Sequence, residues 1–200
     1  ISQKIGLLGG SFDPVHNAHL ALARAAYEQL NLSSVRLIPA GHAWQKQRSL
    51  TPAKHRLAML KLALEFLGPW AEIDEIETQR SGPTYTMDTL AALEQIHGKQ
   101  NWFWIMGTDQ LANFCSWHRW EELTKRLTLA VAIRAKTPWQ IPSSLAALKP
   151  RIKKISMPTS EVSATEIRNR ILQQQSIAQL VPAPIAQYIA SHQLYQKINE

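Results

Sequence analysis

The chain has 200 residues, 45% hydrophobic and 18% charged, the make-up of one globular domain with a sizeable core. No apolar stretch reaches a membrane span, the opening apolar run is too short for a signal peptide, and a lone Cys115 excludes an internal disulfide framework, so a reducing, cytoplasmic setting is expected. A formal net charge of +7 suits polyanionic ligands, small nucleotides and nucleic acids alike.

Strand and helix patterns alternate, which predicts a mostly parallel sheet with helices on both faces. Strands are expected at Lys4–Leu8, Val35–Pro39, Ala71–Ile73, Trp102–Met106, Leu129–Ile133 and Lys153–Ser156. Helices are expected over Ala18–Leu30, Pro52–Phe66, Thr86–Ile96, Trp117–Arg126, Thr165–Gln173 and Pro184–Ser191. Neither a repeat nor a linker divides residues 1–200, which read as one domain.

The first strand leads into the most informative segment, Gly9-Gly10-Ser11-Phe12-Asp13-Pro14-Val15-His16-Asn17-Ala18-His19. The apolar run is expected to break at the two glycines, turn at Asp13-Pro14 and restart as a helix. Glycines there remove Cβ atoms where a ligand comes close to the backbone. A helix start adds unpaired N–H groups and the positive end of the helix dipole. His16 and His19 are neighbours on a helix surface and can face one phosphate group. A zinc pair is not favoured, because a catalytic zinc takes about three protein ligands and no third Cys, His or acid stands at a telling distance.

Further along, Ala40–Leu50 and Ala135–Ser144 are irregular and follow strands, which puts both at the carboxyl edge of the sheet, where open α/β folds bind ligands. The first carries His42, Lys46 and Arg48 and is the better lid candidate. Thr51 reads as an N-cap with Pro52 at the first helical position, and Gly68-Pro69 and His97-Gly98 read as helix stops. Thr86 opens a helix beside Thr84 and Tyr85, and a helix N-terminus stabilises a carboxylate. Asp109, in the Gly107-Thr108-Asp109 turn after a very apolar strand, is a helix cap or an acceptor for a ribose hydroxyl. Trp117, one of seven tryptophans, is a core residue or a platform for a pyridine ring. The basic run at Lys149–Lys154 reads as a solvated approach to a strand, without the interleaved aromatics of single-strand nucleic-acid surfaces. Ser163, Thr165 and Arg168 are an N-cap with solvated neighbours, or a second clamp on phosphates.

The run G-G-S-F-D-P-x-H-x-x-H resembles the first signature of the H-x-G-H nucleotidyltransferases, and Val162-Ser163-Ala164-Thr165-Glu166-Ile167-Arg168 is similar to their second, I-S-S-T-x-I-R. Between them, Thr84–Leu90, Met106–Asp109 and Trp117–Trp120 resemble one branch, the bacterial nicotinate mononucleotide adenylyltransferases. The tail from Leu180 through Tyr188-Ile189 to Leu194-Tyr195 resembles that branch too. Two departures stand out: Ala18 where the family has Gly, and Pro39–Lys46 where many members have a Pro-Pro-His-Lys-like run.

The resemblance implies a Rossmann-like, doubly wound α/β fold. It implies ATP contacts from Gly9, Gly10, Ser11, Phe12, His16, His19, Gly107, Asp109, Ser163, Thr165 and Arg168, with His16, His19 and Arg168 as the catalytic set. It assigns Lys46, Thr86, Asp109, Trp117 and His118 to the nicotinate mononucleotide, Lys46 at its 5′-phosphate. The implied reaction joins the AMP moiety of ATP to that mononucleotide and releases pyrophosphate, with Mg²⁺ carried on the ATP phosphates and no metal site of the protein's own. No nucleic acid or membrane partner is expected. The alternatives are a relative acting on nicotinamide mononucleotide, phosphopantetheine or FMN, and a nucleotide-binding protein without activity.

Overall fold

The computed structural model describes residues 2–41, 50–134, 139–158 and 160–196. Six strands form one sheet: β1 (Lys4–Gly10), β2 (Ser34–Pro39), β3 (Ala71–Ile73), β4 (Asn101–Gly107), β5 (Leu127–Arg134) and β6 (Ile152–Met157), in the order β3-β2-β1-β4-β5-β6. Every neighbouring pair is parallel. The sheet is therefore wholly parallel rather than mostly so. Strand order reverses between β1 and β4, which is where doubly wound folds open a crevice beyond the carboxyl ends of their strands.

Side-chain alternation along β1 explains the two layers. Ile5 and Leu7 enter one apolar cluster, Leu8 the other. The Leu8 side is covered by α1 (Asn17–Leu30), α2 (Ala53–Leu64), α7 (Ala164–Leu172) and α8 (Ala183–Ser191), through Ala23, Met59, Ile167 and Ile185 among others. The Leu7 side is covered by α3 (Thr86–His97), α4 (Thr108–Ala112), α5 (Trp120–Arg126) and α6 (Ser143–Ala147), through Leu90, Leu111, Leu123 and Leu145. Both sheet faces are dry, which is why the strands read as apolar runs rather than as alternation.

Several boundaries differ from the sequence reading. β1 continues through Gly9 and Gly10 instead of breaking there, because both still pair with Ile38 and Pro39 of β2. Thr51 is not the cap of α2. Pro52 occupies that position, and the Thr51 N–H is spent on the Asp13 carboxylate 3.2 Å away. α2 stops at Leu64, before Gly68-Pro69, whereas Gly98 does end α3, at φ 71. The helix expected from Trp117 starts at Trp120, since Phe114–Ser116 form a 3-10 turn and Arg119 takes a left-handed φ of 55. The short helices α4 and α6 went unforeseen. The lid candidate Ala40–Leu50 falls mostly outside the described residues, with His42, Lys46 and Arg48, as do residues 135–138 of the second irregular segment. Among the described residues, no helix is long and apolar enough to cross a membrane.

Candidate active site

The crevice forms where the two central strands part. β1 and β4 pair from Lys4–Asn101 to Leu7–Trp104 and no further, although β1 stays paired with β2 to Gly10 and β4 with β5 to Gly107. Two three-residue ends, Leu8-Gly9-Gly10 and Ile105-Met106-Gly107, thus diverge from a common floor. Trp104 lies at that floor: a Cβ on Gly9 would come within 3.1 Å of its ring. A larger residue at Gly9 would have to push that ring aside by a few tenths of an ångström. Gly107 is different: a Cβ there would meet nothing within 4 Å, and its φ of −89 is ordinary. Neither packing nor conformation accounts for that glycine, which leaves room for a ligand at the start of α4.

The turn after β1 is tightly held. Phe12 is buried at a left-handed φ of 46, a conformation few bulky residues adopt outside functional turns. Its side chain belongs to the core, so Phe12 can offer a ligand only its backbone. The Asp13–Pro14 peptide is cis. Asp13 is fully buried, with Oδ1 accepting from the Tyr195 hydroxyl at 2.6 Å and Oδ2 from the Thr51 N–H. Buried Arg56 of α2 donates to the carbonyls of Ser11, Ala40 and Thr51, at 3.0, 2.8 and 2.8 Å. It clamps the ends of β1 and β2 together.

His16 is the N-cap of α1 rather than a residue on its surface, and it is 6% exposed. Its ring stacks on that of His19, with centroids 3.7 Å apart. Burial pushes the His16 pKa down to about 4, so its imidazole is neutral at physiological pH. Its Nδ1 is buried without a hydrogen-bond partner among the described residues. His19 Nδ1 accepts from the His16 backbone N–H at 3.2 Å, so a neutral His19 carries its proton on Nε2 and presents a donor there.

The second motif meets the first directly. Ser163 caps α7, its Oγ accepting from the Glu166 N–H at 3.1 Å, which leaves the hydroxyl proton available to an acceptor. Arg168, one turn on, donates through Nη2 to Thr165 Oγ1 at 3.1 Å and through Nη1 to the Asp13 carbonyl at 2.8 Å. The hydroxyls, the guanidinium and the histidine-bearing turn are therefore one assembly. Asn17 ties in the tail by donating to the carbonyls of Leu180 and Gln179 at 2.9 and 3.1 Å.

A second group lies around β4. Gly107 caps α4, so Asp109 stands exposed in the first helical turn and is not itself the cap. Thr86 is the first residue of α3, after Tyr85 at its N-cap. Trp117 is half-buried, packing edge-on against Trp104 at 6.0 Å and tilted against Phe114 at 5.1 Å. Exposed His118 lies 4.6 Å from the Tyr85 ring, so the start of α3 and the turn before α5 touch. Nearby, a Cβ on Gly41 would collide with the Glu77 carbonyl, a close approach that only glycine permits. As members of the site, Asp13, Thr51, Arg56 and Tyr195 escaped the sequence reading, which quoted Asp13 only as part of the first signature, Thr51 only as a cap and Tyr195 only as part of the tail.

Among the described residues, no three His, Cys, Asp or Glu side chains converge on one point. Two cavities elsewhere, of about 440 Å³ between α7 and α8 and about 630 Å³ at the amino ends of the strands, include none of the expected site residues.

Comparison with known proteins agrees with this geometry. A cytidylyltransferase-like family model matches residues 7–170. A probable nicotinate-nucleotide adenylyltransferase of Bordetella petrii is 46% identical over 97% of this chain and all of its own length. One from Thermomicrobium roseum is 34% identical over 98% of the chain and 94% of that protein. In fold, the chain matches Plasmodium falciparum nicotinic acid mononucleotide adenylyltransferase complexed with NaAD at a TM-score of 0.82. That match has 22% identity and covers 99% of this chain and all of the other. The crevice, the two motifs joined beside it and these relatives agree: the chain belongs to the cytidylyltransferase-like family, on its nicotinate-nucleotide adenylyltransferase branch.

Proposed function

We propose that this chain catalyses ATP-dependent adenylylation of nicotinate mononucleotide, giving nicotinate adenine dinucleotide and pyrophosphate in the cytoplasm. The observation that carries the reading is the Arg168–Asp13 bond, which unites two motifs 155 positions apart around one turn. Relatives named as nicotinate-nucleotide adenylyltransferases support the substrate pair.

In this reaction a 5′-phosphate oxygen of the mononucleotide attacks the α-phosphorus of ATP. The new oxygen–phosphorus bond forms as the bond to the pyrophosphate oxygen breaks. The nucleophile is already an anion at neutral pH, so no general base is required, and rate comes from positioning and charge stabilisation. His19 Nε2–H and neutral His16 donate to phosphate oxygens near the reacting phosphorus. The Arg168 guanidinium and the hydroxyls of Ser163 and Thr165 hold the leaving phosphates. Ser11 and the N–H groups that open α1 complete the cradle, beside the close backbone approach at Gly10. A Mg²⁺ ion carried on the ATP phosphates would offset part of their charge. At the other end, Asp109 accepts from a ribose hydroxyl. Trp117 and His118 flank the pyridine ring, and N–H groups near Thr86 hold its carboxylate. Lys46, outside the described residues, takes the 5′-phosphate by its resemblance alone.

The test is pyrophosphate release from ATP with nicotinate mononucleotide, nicotinamide mononucleotide, phosphopantetheine and FMN assayed side by side. Rapid release with the acid mononucleotide and formation of its dinucleotide are expected. Equal rates with the amide would remove the substrate assignment, and no release with any acceptor would remove the activity.

A further inference from the structure

The chain does not simply trail off after α8. Leu194 N–H bonds back to the Ile189 carbonyl at 3.0 Å, and Gln193 and Tyr195 adopt left-handed φ values of 51 and 63. Two non-glycine residues in that region cost energy, the aromatic one more so, and such conformations persist only where surroundings enforce them. The reversal delivers the Tyr195 hydroxyl to Oδ1 of buried Asp13, at 2.6 Å. The same Asp13 gives its backbone carbonyl to Arg168 Nη1 at 2.8 Å, and its second carboxylate oxygen to the Thr51 N–H at 3.2 Å. One residue thus joins the tail, the approach to α2 and the guanidinium.

We propose that Tyr195 is a positioning residue for adenylyl transfer: by fixing the Asp13 carboxylate it fixes the Asp13 carbonyl, and that carbonyl aims Arg168 at the ATP phosphates. The inference rests on the reading of Arg168 as a phosphate ligand. Tyr195 touches no reacting atom and acts wholly through Asp13. Burial, reinforced by the neighbouring carboxylate, raises the Tyr195 pKa, so the hydroxyl stays a donor at every working pH. A buried carboxylate that loses one of its donors shifts to recover solvation or protonation, and the carbonyl on the same residue moves with it.

The experiment is a double-mutant cycle of Tyr195→Phe and Arg168→Ala on ATP affinity, read by calorimetry so that no turnover is needed, with KM and melting temperature measured alongside. Tyr195→Phe should weaken ATP about tenfold, the scale of a lost hydrogen bond to a charged group, and leave the mononucleotide KM within about twofold. In the Arg168→Ala background the same substitution should change ATP affinity less than about twofold, because no guanidinium remains to be aimed. Equal losses in both backgrounds, or equal rises in KM for both substrates, would overturn the inference and leave Tyr195 as a staple for the tail. If Tyr195→Phe lowers the folded fraction, affinity is referred to folded molecules by tryptophan fluorescence, and the comparison of the two backgrounds decides as before. A wild-type chain that binds ATP but releases no pyrophosphate would defeat the proposed activity, while the calorimetric cycle would still decide the role of Tyr195.

Discussion

The imidazoles of His16 and His19 stack with ring centroids 3.7 Å apart and planes 25° from parallel. Two imidazolium ions at that separation would repel, and burial keeps His16 neutral, so the pair does not carry two charges. Because His19 presents Nε2–H while its Nδ1 is held by the His16 backbone, it is the better placed of the two to strengthen its bond as charge builds on the phosphorus. His19→Ala should lower kcat by about 10²-fold or more, the scale of losing one preoriented donor, with ATP affinity changed by less than about threefold. His19→Gln, which restores an N–H near Nε2, should recover part of the loss. An unchanged kcat in the alanine variant would remove His19 from the mechanism.

Under the proposed function, His16 should link ATP binding to protons. In the free protein burial holds its pKa at about 4 against an ordinary value of 6.5. Between those values the unfolded chain is protonated and the folded one is not, so stability falls as pH drops from 6.5 towards 4. A bound triphosphate supplies the anion that burial withholds and moves the pKa upward. At pH 5.5, wild-type protein should therefore take up more protons on binding ATP than His16→Asn does, and at pH 8 the two should match. Calorimetry in buffers of differing ionisation enthalpy reads the difference, and ATP's own titration cancels between the variants. Equal uptake at pH 5.5 would mean that His16 does not contact phosphate.

The framework was legible because it rests on period and punctuation. Six apolar runs separated by amphipathic stretches gave six strands, and the largest shift at a strand end is two residues, as at Gly10 and Leu127. Short elements set by tertiary packing were not legible. α4 exists because Gly107 can cap a helix in the mouth of the crevice, and α5 starts late because Trp117 turns inward onto Trp104. At the site, the two phosphate motifs were visible as local patterns. The knot that joins them was not. Apart from the Arg56–Thr51 bond, the contacts of Asp13, Arg56 and Tyr195 span 16 to 182 positions, and nothing in the sequence around Tyr195 marks a hydroxyl aimed at Asp13. Thr51 was misread because α2 begins one residue later than its pattern suggested, with Pro52 at the cap position and Thr51 outside the helix, its N–H bonded to Asp13.

Trp117 packs in the fold and, under the proposed function, also carries the pyridine ring, so its substitution must be read through a ratio. It rests on Trp104 and Phe114, and truncation should lower stability as well as activity. A ratio of kcat/KM values for the acid and amide mononucleotides is independent of the active fraction. Trp117→Ala should reduce the preference for nicotinate about three- to tenfold, because a ring freed from its platform, worth about 0.5–1.5 kcal/mol, no longer presents its carboxylate to the N–H groups near Thr86. A preference that persists at full strength would place pyridine recognition elsewhere.

Glu77 offers a test on stability alone. Its carboxyl is 7% exposed, accepts the Thr89 hydroxyl at 2.8 Å, and is pushed up to about 7 chiefly by burial, against the opposing pull of Thr89 and Arg80. Between its ordinary 4.5 and about 7, the folded chain holds a proton that the unfolded chain has released. Stability therefore falls as pH rises through that window, and above it the full cost of a buried carboxylate is present, on the order of 3 kcal/mol. Glu77→Gln keeps the acceptor for Thr89 and removes the charge. At pH 8 it should unfold at higher denaturant concentration than wild type, with a melting temperature several degrees higher, and at pH 4.5 the two should coincide. A variant less stable than wild type at pH 8 would mean that the attraction between ionised Glu77 and Arg80 outweighs burial, and that this loop is held by charge.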